Sequence, residues 1–261
     1  MAPDNWGEKA RFGVFIVGAE PVPEAEWWAM APPGVSVHAA RVSARAPWAT
    51  WNEDRSDVVL CEDLERGARQ FAQMALDAVV VGHSSSSVLG GAGWDEAVVR
   101  RLSKFIGGKT QVTTNGQDCA AAMEALGATR PFAIIPPWFG DGFIETARDY
   151  LIAQGLTPAA MFRHIPEERW RDVPPGGLYR RFMHLEQNAA LLRDQVIAEC
   201  PDEADSVLMI GTGLRCVVVI DAVEAALGRP VVTANQASLW RCLRLARVEA
   251  QVKGYGRLLE G

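Results

Sequence analysis

Residues 79–91, VVVGHSSSSVLGG, constrain the fold more than any other part of this chain. A short β-branched run stops at Gly82 and gives way to His83 and four serines. Such a run reads as a buried parallel strand. The polar turn at its carboxyl end is where open α/β sheets place their ligands. Residues 207–214, VLMIGTGL, repeat the plan, with Gly211, Thr212 and Gly213 at the strand end. The two turns are expected on opposite walls of one cleft.

Strands and helices alternate around these turns. Apolar runs predict strands at 12–18, 35–42, 78–81, 110–115, 131–135, 206–210 and 230–233, with a further one within 156–164. Helical spacing of apolar residues predicts helices after AEPVPEAEWW and at 61–74, 94–105, 118–126, 143–154, 217–227 and 237–246. One long helix is expected over 179–200, with Phe182, Leu185, Ala189, Leu192 and Val196 on its buried face. Residues 44–57 and 174–177 read as loops. Alternation of this kind implies mainly parallel sheets covered by helices on both faces. A short repeat supports two similar halves: VTTN at 112–115 and VTAN at 232–235 each end a strand and precede a helix. Facing strand ends in two such halves leave a cleft between them, a common place for a small-molecule site.

Composition narrows the partners. A net charge of −6 and the lack of a long basic run argue against a nucleic-acid surface. No apolar stretch approaches the ~20 residues of a membrane-spanning helix, and MAPDNWGEKARFG lacks the layout of a signal peptide. A cytoplasmic protein is the expectation. The five cysteines are scattered and never form CxxC, so free thiols are expected rather than disulfides. The four histidines are equally dispersed, and no metal is expected. Of the nine tryptophans most must be core; Trp48, Trp51 and Trp138 fall in loops, where core packing competes with contact to a flat ligand.

Several longer segments carry a family resemblance: IVGAEPVPEAE, VSVHAAR, GHSSSSVLGG, GTGLRCVVVIDAVEAALGRPVVTANQASLW and the closing GYGRLL. Together they resemble the aspartate/glutamate racemase superfamily, in the branch of maleate cis–trans isomerases and arylmalonate decarboxylases. The resemblance spans about 13–259. It implies an α/β fold of two pseudo-symmetric Rossmann-like domains with parallel sheets and an interdomain cleft, divided as 1–115 plus 232–261 and 116–231. It also implies reacting groups at the ends of two matching strands. Isomerases and racemases of the superfamily generally place a cysteine at both, and the decarboxylases only at the second. Here those positions fall on His83 and Gly211. An asparagine common in the isomerases falls on Glu20, and a tyrosine of the middle turn on Trp138. The scaffold is kept while the reacting groups are replaced.

The candidate site follows. Ser84, Ser85, Ser86 and Ser87 offer hydroxyls and N–H groups to a carboxylate, against the alternative of a solvated turn capped by serines. Gly211, Thr212 and Gly213 offer a matching turn. Thr114 and Asn235 are helix-start residues or pocket walls. His83, with an ordinary pKa near ~6.5, is a candidate acid or base, and Glu20 a candidate partner or second carboxyl. Cys216 reads as a packed, inert thiol. His38 and Arg41 lie on a strand and face either cleft or surface.

Two-base racemisation needs a side chain at residue 211, and thiolate addition needs a cysteine at one of the two strand ends. A lyase reaction survives these losses. The reading is a decarboxylase without a cofactor, acting on a small carboxylic acid, aromatic ones included. His83 and Glu20 are its catalytic residues, with Ser84, Ser85, Ser86, Thr114, Trp138, Gly211, Thr212, Gly213 and Asn235 around the substrate. A cysteine-independent isomerase or hydrolase and a non-catalytic carboxylate-binding protein are the alternatives. The expected partner is a small-molecule carboxylate, with neither nucleic acid nor membrane, and a homo-oligomer is compatible with this reading.

Overall fold

The computed structural model describes residues 5–261. Two four-stranded parallel sheets share one topology. The first contains β1 (Ala10–Val17), β2 (Val35–Val42), β5 (Ala78–Val81) and β6 (Gln111–Thr114), in the order β2-β1-β5-β6. The second contains β7 (Pro131–Ile135), β8 (Ala160–Arg163), β9 (Ser206–Met209) and β10 (Val231–Thr233), in the order β10-β9-β7-β8. Reading the second order backwards matches β7, β8, β9 and β10 to β1, β2, β5 and β6. His83, two positions beyond β5, therefore corresponds to Gly211, two positions beyond β9. Glu20, three beyond β1, corresponds to Trp138, three beyond β7.

The helices are α1 (Val22–Met30), α2 (Glu62–Phe71), α3 (Ser84–Gly90), α4 (Trp94–Ile106), α5 (Asn115–Ala125), α6 (Asp141–Ala153), α7 (Pro175–Arg180), α8 (Ala189–Glu199), α9 (Ile220–Leu227), α10 (Ala234–Leu245) and α11 (Arg257–Glu260). Among the described residues no helix is long and apolar enough to cross a membrane. The 44–57 segment, expected as a loop, contributes an antiparallel hairpin, β3 (Ala49–Trp51) with β4 (Val58–Leu60). Trp48 at its base is fully buried, as core packing requires.

Two further expectations are corrected. The VTTN and VTAN repeats are out of step by one residue. Thr114 caps α5 by accepting from Gln117 N, and Thr233 caps α10 by accepting from Gln236 N. The caps are thus Thr114 and Thr233, and Asn235 is one position away from being the counterpart of Asn115. The long helix over 179–200 is in fact broken. α7 ends at Arg180, Phe182 turns left-handed at φ 60°, a 3-10 turn covers Met183–Leu185, and α8 restarts behind the Asn188 cap. Phe182 and Leu185, placed on a buried face by the periodicity, are exposed.

α5 and α10 pack together between the sheets, and buried polar groups line their contact. Asp118 accepts from Thr113 Oγ1 at 2.6 Å and from Ser238 Oγ at 2.7 Å. Asn115 donates to Ala234 O and Ser238 Oγ. Nearby, Asp95 accepts from Ser87 Oγ and Tyr150 Oη, both at 2.7 Å. Burial pushes Asp118 up to about 8, and Glu20 and Glu26 up to about 7. A carboxyl raised in this way stabilises the fold fully below its unfolded value of ~4, and that stability is lost as pH rises through the folded value. Burial lowers His83, His164 and His184, which acts in the opposite sense, but only below the unfolded histidine value of ~6.5. Between roughly pH 6.5 and 8 the carboxyls act alone. The melting temperature is expected to fall across that window, and less steeply in Asp118→Asn. Thermal melts at constant ionic strength check this; a flat or rising profile in the parent protein contradicts it.

Candidate active site

The carboxyl ends of both sheets meet, and the first wall is the loop after β1. Arg41 on β2 donates to Gly18 O at 3.0 Å and to Glu20 O at 3.4 Å, and pairs with Glu24. Arg41 therefore fixes the loop rather than facing a ligand. The Glu20 side chain is only 5% exposed, and it presses on Gly213. A Cβ built on Gly213 would stand 2.4 Å from Glu20 Oε1, so any side chain there would displace the carboxyl from this position. Burial raises the Glu20 carboxyl to about 7, against a smaller downward pull from the Tyr179 hydroxyl. Oε2 is buried and has no hydrogen-bond partner of normal geometry. A carboxyl poised near neutrality with a free oxygen is suited to moving a proton.

The second wall begins at β5. The four serines are not a solvated turn: they form the first turn of α3 and are all buried. Ser84 Oγ donates to Asn115 Oδ1 at 2.6 Å and accepts from Gly211 N at 3.2 Å, which joins the two strand ends directly. Ser86 Oγ accepts from Trp48 N at 3.0 Å and lies 2.8 Å from His83 Nδ1. Ser87 is committed to Asp95. Of the four serine hydroxyls, that of Ser85 alone has no hydrogen-bond partner among the described residues. The His83 ring stacks on Trp48, with centroids 4.1 Å apart. Burial lowers His83 to about 3, and although the ring keeps part of its surface open, it is a neutral imidazole at pH 7. Ser86 Oγ accepts from Trp48 N and can give its own proton to Nδ1; in that tautomer the imidazole hydrogen is on Nε2.

Opposite lies the buried loop Gly211, Thr212, Gly213. Gly211 adopts φ 104°, a conformation costly for any residue with a Cβ. Among the described residues nothing accepts from the N–H groups of Thr212 and Gly213, so two adjacent donors remain for an anion. Asn235 Nδ2 donates to Thr212 O at 2.9 Å and to Glu26 Oε2 at 2.6 Å. Glu26 Oε1 accepts from Cys216 N and Val217 N. Asn235 thus holds the loop from behind, as Thr114 holds the start of α5. Glu26 did not stand out in the sequence; its role depends on a contact between α1 and a loop almost two hundred positions later.

The broken helix completes the enclosure. Tyr179, at the end of α7, faces Glu20, and His184 in the 3-10 turn stacks on Tyr179 at 4.7 Å. Trp138 packs against both, at 5.9 Å from Tyr179 and 6.1 Å from His184. Tyr179 and His184 escaped sequence reading because the apparent periodicity ran through the break.

A family model described as arylmalonate decarboxylase matches residues 49–259. The chain belongs to the arylmalonate decarboxylase family. No curated protein matches at the level of sequence. Solved structures share the fold. A maleate isomerase from Pseudomonas putida S16 is 19% identical with a TM-score of 0.78, over 97% of this chain and 98% of that one. An unliganded arylmalonate decarboxylase is 22% identical with a TM-score of 0.73, over 96% and 99%. A maleate cis–trans isomerase from Nocardia farcinica is 18% identical with a TM-score of 0.74, over 96% and 98%.

Membership of the arylmalonate decarboxylase family makes this chain an enzyme of the decarboxylase or isomerase kind. Within that family frame, His83 and Gly211 occupy matched strand ends without a thiol at either. The nearest cysteine in sequence, Cys216, is 1% exposed, and burial raises its pKa well above the usual thiol value. A thiol held protonated and covered is not a nucleophile.

Proposed function

We propose that this enzyme decarboxylates a small malonate-type acid without a cofactor, and that Glu20 supplies the proton. The observation that carries the reading is the Glu20 carboxyl: buried, raised to about 7, with Oε2 unpartnered and Oε1 against Gly213. The substrate's remaining carboxylate sits against the Thr212 and Gly213 N–H groups and the Ser85 hydroxyl. The bond between the α-carbon and the departing carboxylate breaks, carbon dioxide leaves, and the electron pair enters the remaining carboxylate as an enediolate. The N–H groups hold that developing charge. Glu20 then gives its proton to the α-carbon and is reprotonated from water, so one proton is consumed for each carbon dioxide released. The sequence reading gives the proton to His83; its depressed pKa favours Glu20, with His83 as a neutral donor from Nε2. Burial of Glu20 also weighs against a purely binding role. The domain division at 115/116 and 231/232 belongs to this proposal: α10 packs on α1 and β5 of the first half, while β10 itself pairs within the second sheet.

The test is a substrate panel in deuterated water: phenylmalonate, alkylmalonates and maleate. The expected result is carbon dioxide release from a malonate, with one deuterium at the product's α-carbon. Pretreatment with iodoacetamide is expected to leave turnover intact. Conversion of maleate to fumarate without carbon dioxide would make the enzyme an isomerase. Inactivation that tracks modification of Cys216 would restore a thiol mechanism.

A further inference from the structure

The site contains more buried polar capacity than Glu20 uses. Among the described residues four such atoms lack a hydrogen-bond partner in this one place: Glu20 Oε2, Tyr179 Oη and both ring nitrogens of His184. Leaving buried polar atoms unpaired is costly, so such clusters mark sites with work to do. We propose that Tyr179 is a positioning residue, whose hydroxyl orients the Glu20 carboxyl for proton transfer while His184 holds the Tyr179 ring in place. This rests on the reading of Glu20 as the proton donor.

Three observations carry it. Tyr179 faces Glu20 closely enough for each to act on the other's proton, although the resting pair has not closed to a hydrogen bond of normal geometry. Catalytic contacts are often slack before substrate binds and tighten in the complex. The ring of Tyr179 is also over-determined: it stacks on fully buried His184 at 4.7 Å and meets Trp138 at 5.9 Å. Finally, the segment that carries both residues is tied to the opposite loop. Gln187 Nε2 donates to Arg215 O, and Arg215 N donates to Gln187 Oε1, both at 3.0 Å. The clamp keeps Tyr179 in register with the Gly211–Gly213 loop that Glu20 touches. Between these two anchors Phe182 takes a left-handed backbone at φ 60°, a conformation a non-glycine residue holds only under constraint from its surroundings.

The other groups around Glu20 do not compete for its carboxyl. Arg41 is spent on backbone carbonyls and on Glu24, and Gly213 has no side chain. His184 is neutral, lowered by burial against a weaker pull from the Ala19 backbone. Tyr179 is therefore the side chain able to favour the ionised form of Glu20, and its removal should push the Glu20 carboxyl further up.

The experiment compares the parent, Tyr179→Phe, Glu20→Gln and the double variant. Carbon-13 NMR of labelled glutamate follows the Glu20 carboxyl directly, its signal identified by loss in Glu20→Gln. In Tyr179→Phe the carboxyl is expected to titrate at higher pH than in the parent. Turnover on the malonate is expected to drop ~10–100-fold with little change in KM, and the second substitution is expected to add almost nothing to Glu20→Gln. His184→Phe, which keeps a stacking ring, should retain most activity, while His184→Ala should behave like Tyr179→Phe. An unmoved Glu20 titration, or additive losses in the double variant, overturns the role of Tyr179. Full activity of Glu20→Gln overturns the proton-donor reading instead, so the two failures are distinguishable.

Discussion

Glu20→Gln is expected to lower turnover by ~10²–10⁴-fold, the range for losing a general acid. The amide keeps the shape and the packing against Gly213, so the fold should persist. The protonated carboxyl is the active form, and burial raises it to about 7. In the parent, turnover is therefore expected to be high below neutrality and to fall as pH rises through about 7. The residual rate of Glu20→Gln should lack that limb. Substrate affinity should change little, because the Thr212 and Gly213 N–H groups remain. The checks are steady-state kinetics across pH 5 to 9 and a separate binding titration with a non-reacting carboxylate. A variant that keeps the parent's limb near neutrality excludes Glu20 as the titrating group.

Much of this architecture is legible in the chain. Apolar runs ending in small polar residues mark buried parallel strands, and the strand ends at Gly82 and Gly211 are where the two sheets meet. What the periodicity misjudged is local. The α10 start at Ala234 was signalled by Thr233 and Gln236, a capping box that outweighs the later apolar onset. The break after Arg180 was signalled by Asn188, which caps α8 through Leu191 N. Phe182 and Leu185 kept the helical period there while facing solvent. The poise of Glu20 was beyond sequence reading for a different reason. Its pKa is set by burial beneath Gly213 and Tyr179, groups from the far half of the chain. His83 carries its ordinary histidine value in the sequence and loses it to burial beside Trp48, a neighbour from its own half of the chain.

His83→Ala is expected to slow turnover by ~10²–10³-fold, the cost of losing one fixed hydrogen-bond donor to developing charge, while leaving the pH limb near 7 in place. Burial lowers His83 to about 3, so the imidazole is overwhelmingly uncharged at pH 7 and a poorer source of protons than Glu20, raised to about 7. The neutral ring is nevertheless well fixed: Trp48 stacks on one face and Ser86 meets Nδ1. Such a ring presents Nε2–H at no orientational cost during the reaction. His83→Asn, which restores an N–H donor on a shorter side chain, should recover part of the loss. Because alanine also opens a void beside Trp48, melting temperature must be measured with the kinetics, and the variants compared well below it. Two results would overturn this division of labour. Disappearance of the limb near pH 7 in both His83 variants would assign the proton to the imidazole. Undiminished turnover in His83→Ala would leave the ring a packing partner of Trp48, with the N–H groups of Thr212 and Gly213 stabilising the enediolate alone.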